Sequence, residues 1–146
     1  MNKKILAWVI SFLLVLAWSA IEPADRLTWW LEVIPAILGL AILILTRQRF
    51  PFTELVYFLI LVHAVILMVG GHYTYAEVPI GDWVRDLSGG SRNNYDKLGH
   101  LAQGFIPAMI AREILVRFKV VAVRGWLSIL VVCIVLAFSA FYELIE

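Results

Sequence analysis

Two short polar segments carry the side chains in this chain that could do chemistry. The first, YDKLGHLAQGF, contains Asp96, His100 and Gln103. The second, FYELIE, contains Glu143 and Glu146. Residues three or four apart lie on the same face of an α-helix, so each segment predicts a polar stripe at the end of a helix.

These side chains fit two kinds of chemistry. Imidazole and carboxylate groups both bind zinc, manganese or iron, so His100, Glu143 and Glu146 are candidate ligands of a divalent metal ion. Alternatively, Asp96 orients His100 as a general base, as a carboxylate does for histidine in many hydrolases. Candidate catalytic residues are therefore Asp96, His100, Glu143 and Glu146, and no serine or cysteine stands at an obvious nucleophile motif.

A structural interpretation competes with the catalytic one. Asp96 also suits the positive end of a helix dipole, and glutamates at a helix end also suit the membrane surface. Each residue taken alone favours the structural interpretation. The set taken together favours a functional site, because isolated charges in hydrocarbon cost several kcal/mol and these residues should therefore face one another or a wet cavity. His72 is a weaker candidate for the site, and His63 is typical of a hydrogen bond between helices.

The composition of the chain indicates the class of protein to which these residues belong. The chain has 146 residues, of which 62% are hydrophobic, and a mean hydropathy of +0.89. Soluble domains are about 45–50% apolar, so the surplus indicates contact with membrane lipids. The net charge of +1 gives no indication of nucleic-acid binding. Cys133 is the only cysteine, which excludes an intramolecular disulfide.

Five apolar segments predict an all-α bundle of about five transmembrane helices in a single membrane domain. A membrane-spanning helix needs roughly 20 apolar residues. The predicted spans cover residues 5–21, 31–46, 52–69, 96–116 and 126–145, and the third is expected to stop at Gly70 and Gly71. The first span follows two lysines like a signal peptide, but no clear cleavage site follows it, so we interpret it as an uncleaved helix.

Basic residues predict the orientation. If successive spans alternate in direction, eight basic residues lie at the same face of the membrane, namely Lys3, Lys4, Arg47, Arg49, Arg112, Arg117, Lys119 and Arg124. The positive-inside rule assigns that face to the cytoplasm. The N-terminus is then cytoplasmic, and residues 70–94 form a long outer loop at the same face as the polar stripes. This loop is either a surface loop with aromatic residues at the headgroups or a flap over a site.

The two polar segments also resemble those of a known protein family. The sequences YDKLGHLAQGFIPAMIAREIL and FSAFYELIE resemble the YjdF-like family of bacterial inner-membrane proteins. The resemblance implies a polytopic protein of the bacterial inner membrane, and it does not imply any particular activity. Family members continue past the second motif with another acidic segment and a helix, so we expect this sequence to be C-terminally truncated. Asp96, Lys97 and His100 also match, more weakly, a motif of the VanZ-like membrane family.

Together these patterns predict an inner-membrane protein with a polar site at its periplasmic face. The leading hypothesis is a metal-dependent or acid–base hydrolase or transferase that acts on an envelope lipid or a lipid-linked substrate. The alternatives are a small transporter, a proton relay, or a non-enzymatic membrane assembly factor. The sequence leaves the oligomeric state open.

Overall fold

The computed structural model describes residues 3–144, apart from the side chains of Arg124 and Glu143. That part of the chain contains helices and no strand, which confirms the all-α prediction. The α-helices are α1 (Lys3–Ser19), α2 (Arg26–Thr46), α3 (Glu54–Tyr73), α4 (Pro79–Ser88), α5 (Tyr95–Arg117) and α6 (Arg124–Glu143). A 3₁₀ helix, Tyr75–Glu77, precedes α4.

Three of these helices are long and apolar enough to cross a membrane by length and composition, namely α2, α3 and α6. Only 6% of the apolar window of α6 is buried inside the protein, against 28% in α2 and in α3, so α6 is the least covered of the three by the rest of the described chain. The structure is that of a membrane helical bundle. Five spans and a cytoplasmic N-terminus remain predictions, because α1 and α5 fall outside this set.

Contacts at both ends of the bundle show that successive long helices alternate in direction. At one end, Lys4 near the start of α1 pairs with Glu54 at the start of α3, with 2.6 Å between Nζ and Oε1. At the other end, the backbone N–H of Ala24, before α2, donates to the carbonyl of His72 near the end of α3. We call the first end the basic end and the second the loop end.

The helix bounds differ from the predicted spans in one place that matters for the site. α3 continues through Gly70 and Gly71 to Tyr73, where the sequence predicted a stop. Both glycines are buried in helical conformation. The segment that follows, predicted as a loop, contains the 3₁₀ helix and α4. α4 ends at Gly89, whose positive φ of 68° suits a residue without a side chain.

Two hydrophobic clusters hold the bundle together. The first joins α1, α2 and α3 and consists of Phe12, Trp29, Val33, Ala36, Ala64 and Met68. The second joins α3 and α5 with Val78 from the connecting segment and consists of Ile66, Val78, Tyr95, Ala102 and Ile106. Because α3 contributes to both clusters, it forms the centre of the bundle.

At the basic end a glutamate of α5 binds the start of α3. Glu113, with 9% of its side chain exposed, accepts hydrogen bonds from the backbone N–H of Thr53 at 2.9 Å and from its hydroxyl at 2.7 Å. Arg117, one turn further on, donates to the same carboxylate at 2.9 Å. Thr53 is the N-cap residue of α3, so these bonds fix α5 to the helix start.

We expect Glu113→Ala to lower the free energy of unfolding by about 3 kcal/mol, since hydrogen bonds to a charged group contribute roughly 1.5–3 kcal/mol each and are not additive. Glu54→Ala is the matched control at the same end. Its carboxylate is 81% exposed and forms a surface ion pair, for which about 0–1 kcal/mol is expected. Unfolding midpoints in detergent micelles measure both effects, and equal losses would contradict the assignment.

Candidate functional site

A buried carboxylate lies near the loop end of the bundle. Glu32 of α2 is 7% exposed, although it stands in an apolar helix. Asp25 caps this helix by accepting a hydrogen bond from the backbone N–H of Thr28 at 2.7 Å. Trp29, Glu32 and Val33 then follow at helical spacing on the buried side of α2. The sequence thus directs the Glu32 side chain into the bundle.

Two tyrosine hydroxyl groups contact this carboxylate. The Tyr75 hydroxyl donates to Oε2 of Glu32 at 2.8 Å, and the Tyr142 hydroxyl donates to the same oxygen at 3.4 Å. Tyr75 belongs to the 3₁₀ helix and Tyr142 to the last turn of α6. Three segments distant in sequence therefore meet at one carboxylate, which we call the Glu32 site.

Three glycines make room for this arrangement. A Cβ atom at Gly70 would lie 2.5 Å from Cζ of Tyr75, and one at Gly99 would lie 2.8 Å from its Cε1. A Cβ at Gly71 would lie 3.0 Å from Cβ of Glu32. The Tyr75 ring therefore fills a slot between α3 and α5 that exists because Gly70 and Gly99 lack side chains, and Gly71 makes room for Glu32.

The environment of Tyr75 keeps its hydroxyl protonated. Burial, and next the negative charge of Glu32, raise the pKa of the Tyr75 hydroxyl far above its usual value. The group is therefore a hydrogen-bond donor across the physiological pH range. A carboxylate with such a donor is held in one orientation, which is the arrangement that acid–base chemistry requires.

His72 has a packing role at the same end of the bundle. Its Nδ1 lies 3.0 Å from the carbonyl oxygen of Ser19, and its ring lies 4.6 Å from that of Trp18. The Ser19 hydroxyl in turn accepts a hydrogen bond from Nε1 of Trp29 at 3.1 Å. These contacts join α1, α2 and α3, so they account for His72 without catalysis.

His63 lies deeper in α3. Its Nε2 is buried and has no hydrogen-bond partner within the described part of the chain. It is eight residues from Gly71, or about 12 Å along the helix axis. His63 is thus separate from the Glu32 site. The sequence predicted a hydrogen bond between His63 and another helix, and Nε2 forms no such bond within the described part of the chain.

The predicted stripe on α5 is only partly turned toward the protein. Asp96 is half-buried and forms an ion pair with Arg92, while its Oδ1 accepts from the backbone N–H of Lys97 at 2.8 Å. His100 is exposed on the surface of α5, and Gln103 is half-buried. Asp96 therefore has an arginine partner, and no hydrogen bond between Asp96 and His100 is present.

The other half of the predicted site cannot be compared in the same way. Glu143 is the last residue of α6 and its side chain is not described, while Glu146 lies outside the described residues. Their distance from His100 stays a prediction. Among the described residues, no group of three or more histidine, cysteine, aspartate or glutamate side chains could hold a metal ion. The metal site therefore also stays a prediction.

Glu32 and Tyr75 are not among the site residues predicted from the sequence. Glu32 had a recognisable signal, because an acidic residue inside an apolar span costs several kcal/mol unless it finds a partner. Tyr75 had none, since its partner is 43 residues away in the sequence. Tyr142 stood next to the predicted Glu143 but was not assigned to the site.

Comparison with known proteins places the chain among membrane proteins. The family model described as "Predicted membrane protein (DUF2238)" matches residues 4–146. The chain is 52% identical over 137 residues to the inner membrane protein YjdF of Escherichia coli (strain K12), a match that covers 94% of the chain and 66% of that protein. The chain thus spans about two thirds of this relative's length. No solved structure matches.

These matches confirm the resemblance to the YjdF-like family and the predicted multi-pass location in the bacterial inner membrane. The weaker resemblance to the VanZ-like family stays a prediction.

Proposed function

Because the chain belongs to the DUF2238 family of predicted membrane proteins, we propose a function at the membrane surface, namely acid–base hydrolysis or group transfer on an envelope lipid or lipid-linked substrate. The loop end is the proposed periplasmic end, in accordance with the positive-inside rule. The observation that carries the proposal is the buried carboxylate of Glu32 with its tyrosine donors.

Glu32 is the proposed general base. A carboxylate removed from water and held by a fixed donor suits proton transfer at a reacting oxygen, because its orientation is set before the substrate arrives. In hydrolysis it takes a proton from the attacking water and returns a proton to the leaving oxygen. The 3.4 Å bond from Tyr142 is the weaker of the two contacts, so this is the proposed side from which a substrate reaches the carboxylate.

The residues selected from the sequence are proposed to act at the rim of this site. His100 is exposed on α5, within reach of a polar headgroup or of water. With Glu143 and Glu146 it forms the proposed ligand set for a divalent metal ion, and Asp96, which pairs with Arg92, is the proposed anchor of the helix start. In this arrangement the metal ion or His100 would bind the anionic part of the substrate while Glu32 transfers the proton.

The test compares three proteins in vesicles made from the inner-membrane lipids of a strain that lacks the gene. We expect wild-type protein to convert one lipid species, as seen by mass spectrometry. Glu32→Gln keeps an oxygen for the tyrosine hydroxyls but cannot take a proton, so we expect a loss of about 100-fold or more, as for removal of a general base. Glu77→Gln, an exposed glutamate in the 3₁₀ helix, is the matched control and should convert normally.

Two results would contradict the proposal. One is the absence of any lipid change with wild-type protein, and the other is full conversion by Glu32→Gln. A chelator added to the wild-type reaction distinguishes the two chemistries. Loss of conversion that zinc or manganese restores supports the metal-dependent form, and unchanged conversion supports metal-free acid–base catalysis.

A further inference from the structure

α4 is an amphipathic helix whose apolar side is uncovered. Ile80, Trp83, Val84 and Leu87 follow the spacing i, i+3, i+4, i+7 and form one stripe along Pro79–Ser88. Their exposed fractions are 60%, 73%, 59% and 88%. A stripe of four large apolar side chains on a ten-residue helix is more than a water-facing surface segment normally exposes.

The opposite side of α4 is occupied by polar contacts within the chain. Arg85 donates to Asp82 at 2.8 Å and to Asp86 at 2.9 Å. Asn93, just before α5, donates to Asp82 at 3.2 Å. A Cβ at Gly81 would lie 1.9 Å from the Asn93 side-chain oxygen, so α4 packs directly on that residue. These contacts fix the rotation of α4 and leave the apolar stripe turned away from the protein.

Buried contacts attach the start of α4 to the loop ends of α3 and α5. Val78, immediately before α4, is 1% exposed and belongs to the same buried cluster as Ile66 and Tyr95. Its carbonyl oxygen accepts a hydrogen bond from Asn93 at 2.9 Å. Both ends of the segment thus return to the ends of α3 and α5. A helix of about 15 Å attached in this way cannot move far from the loop ends of α3 and α5.

We propose that α4 is an interfacial helix that binds the surface of the bilayer which the protein spans, with its apolar stripe among the lipid headgroups and upper acyl chains. Helices with one apolar and one charged side lie in this position, and tryptophan at their boundary favours it. α4 begins six residues after the end of α3, a helix long and apolar enough to cross a membrane, so the uncovered stripe lies near the end of that helix. The inference does not depend on the proposed chemistry at Glu32.

Spin labels on neighbouring positions of α4 test this directly. In a Cys133→Ser background, nitroxides are attached at Leu87→Cys on the stripe and at Asp86→Cys on the polar side, and the protein is placed in lipid vesicles. We expect the label at 87 to collide mainly with molecular oxygen and the label at 86 mainly with a water-soluble nickel chelate. A several-fold difference in the oxygen-to-nickel ratio between the two positions supports the proposal.

Two outcomes overturn it. Equal access of the nickel chelate to both positions would place α4 in water. Shielding of the 87 label from both reagents, with dipolar broadening between labels, would mean that a second copy of the chain covers the stripe. Trp83→Phe tests the proposal without labels. Brominated lipids quench the fluorescence of tryptophans that contact them, so we expect the loss of Trp83 to reduce the fraction of the fluorescence that these lipids quench. Unchanged quenching in that variant would also overturn the proposal.

Discussion

Glu32→Ala is expected to lower the free energy of unfolding by about 3 kcal/mol, because removal of a buried acceptor leaves its donors unsatisfied at roughly 1–3 kcal/mol each. The Tyr75 hydroxyl, at 2.8 Å, loses its acceptor completely. The site lies where α2, α3, α6 and the 3₁₀ helix meet, so the loss affects the whole loop end. Thermal unfolding in detergent micelles, followed by tryptophan fluorescence, measures it.

Tyr75→Phe isolates the contribution of the hydrogen bond between Tyr75 and Glu32 to the free energy of unfolding. The ring stays in its slot while the hydroxyl is removed, so we expect a smaller loss of about 1.5–3 kcal/mol, the range for one hydrogen bond to a charged group. Tyr73→Phe is the matched control, because no hydrogen bond of its hydroxyl is present in residues 3–144, and it should stay within about 0.5 kcal/mol of wild type. A Tyr75→Phe protein as stable as this control would rule out the bond to Glu32 as a stabilising contact.

Gly70→Ala and Gly99→Ala are expected to destabilise the protein by about 3 kcal/mol each, at the upper end of the range for overpacked cores. The added methyl group would lie 2.5 Å or 2.8 Å from the Tyr75 ring, and that ring is enclosed between α3 and α5. Tyr75 must therefore leave the slot and lose its bond to Glu32. Unfolding midpoints measure the effect.

Two controls make this prediction specific to the slot. Gly104→Ala lies on the same helix as Gly99 with open space around it, so it should stabilise the helix by up to about 1 kcal/mol. In a Tyr75→Ala background the slot is empty, and Gly70→Ala should then cost little. A double-mutant cycle measures this coupling, and additive effects would mean that the ring and the glycine do not compete for space.

The five long helices could be predicted from the sequence because their signals are local, whereas the 3₁₀ helix and α4 were predicted as a loop. The apolar length of each helix and the capping residues Asp25 and Thr53 all lie within a few residues of the helix that they determine. The end of α3 was different. Two adjacent glycines usually terminate a helix, but here they accept the ring of Tyr75 and the Cβ of Glu32, which come from other segments.

The Glu32 site could not be predicted residue by residue from the sequence. Asp96 and His100 belong to the start of α5 at the loop end, where Glu32 contacts Tyr142 of α6, and their predicted role there stays a prediction. The choice of residues depended on which helix faces meet, and a stripe on one helix does not contain that information. Asp96 and His100, for example, share helical spacing, but Asp96 is half-buried and His100 is exposed.

The position of α3 between two hydrophobic clusters restricts how the bundle can deform. Ala64 and Met68 pack toward α1 and α2, whereas Ile66 packs toward α5. A twist of α3 about its own axis would improve the fit on one flank only by opening the other. A rotation of α3 would therefore disturb its packing against α1, α2 and α5 at the same time.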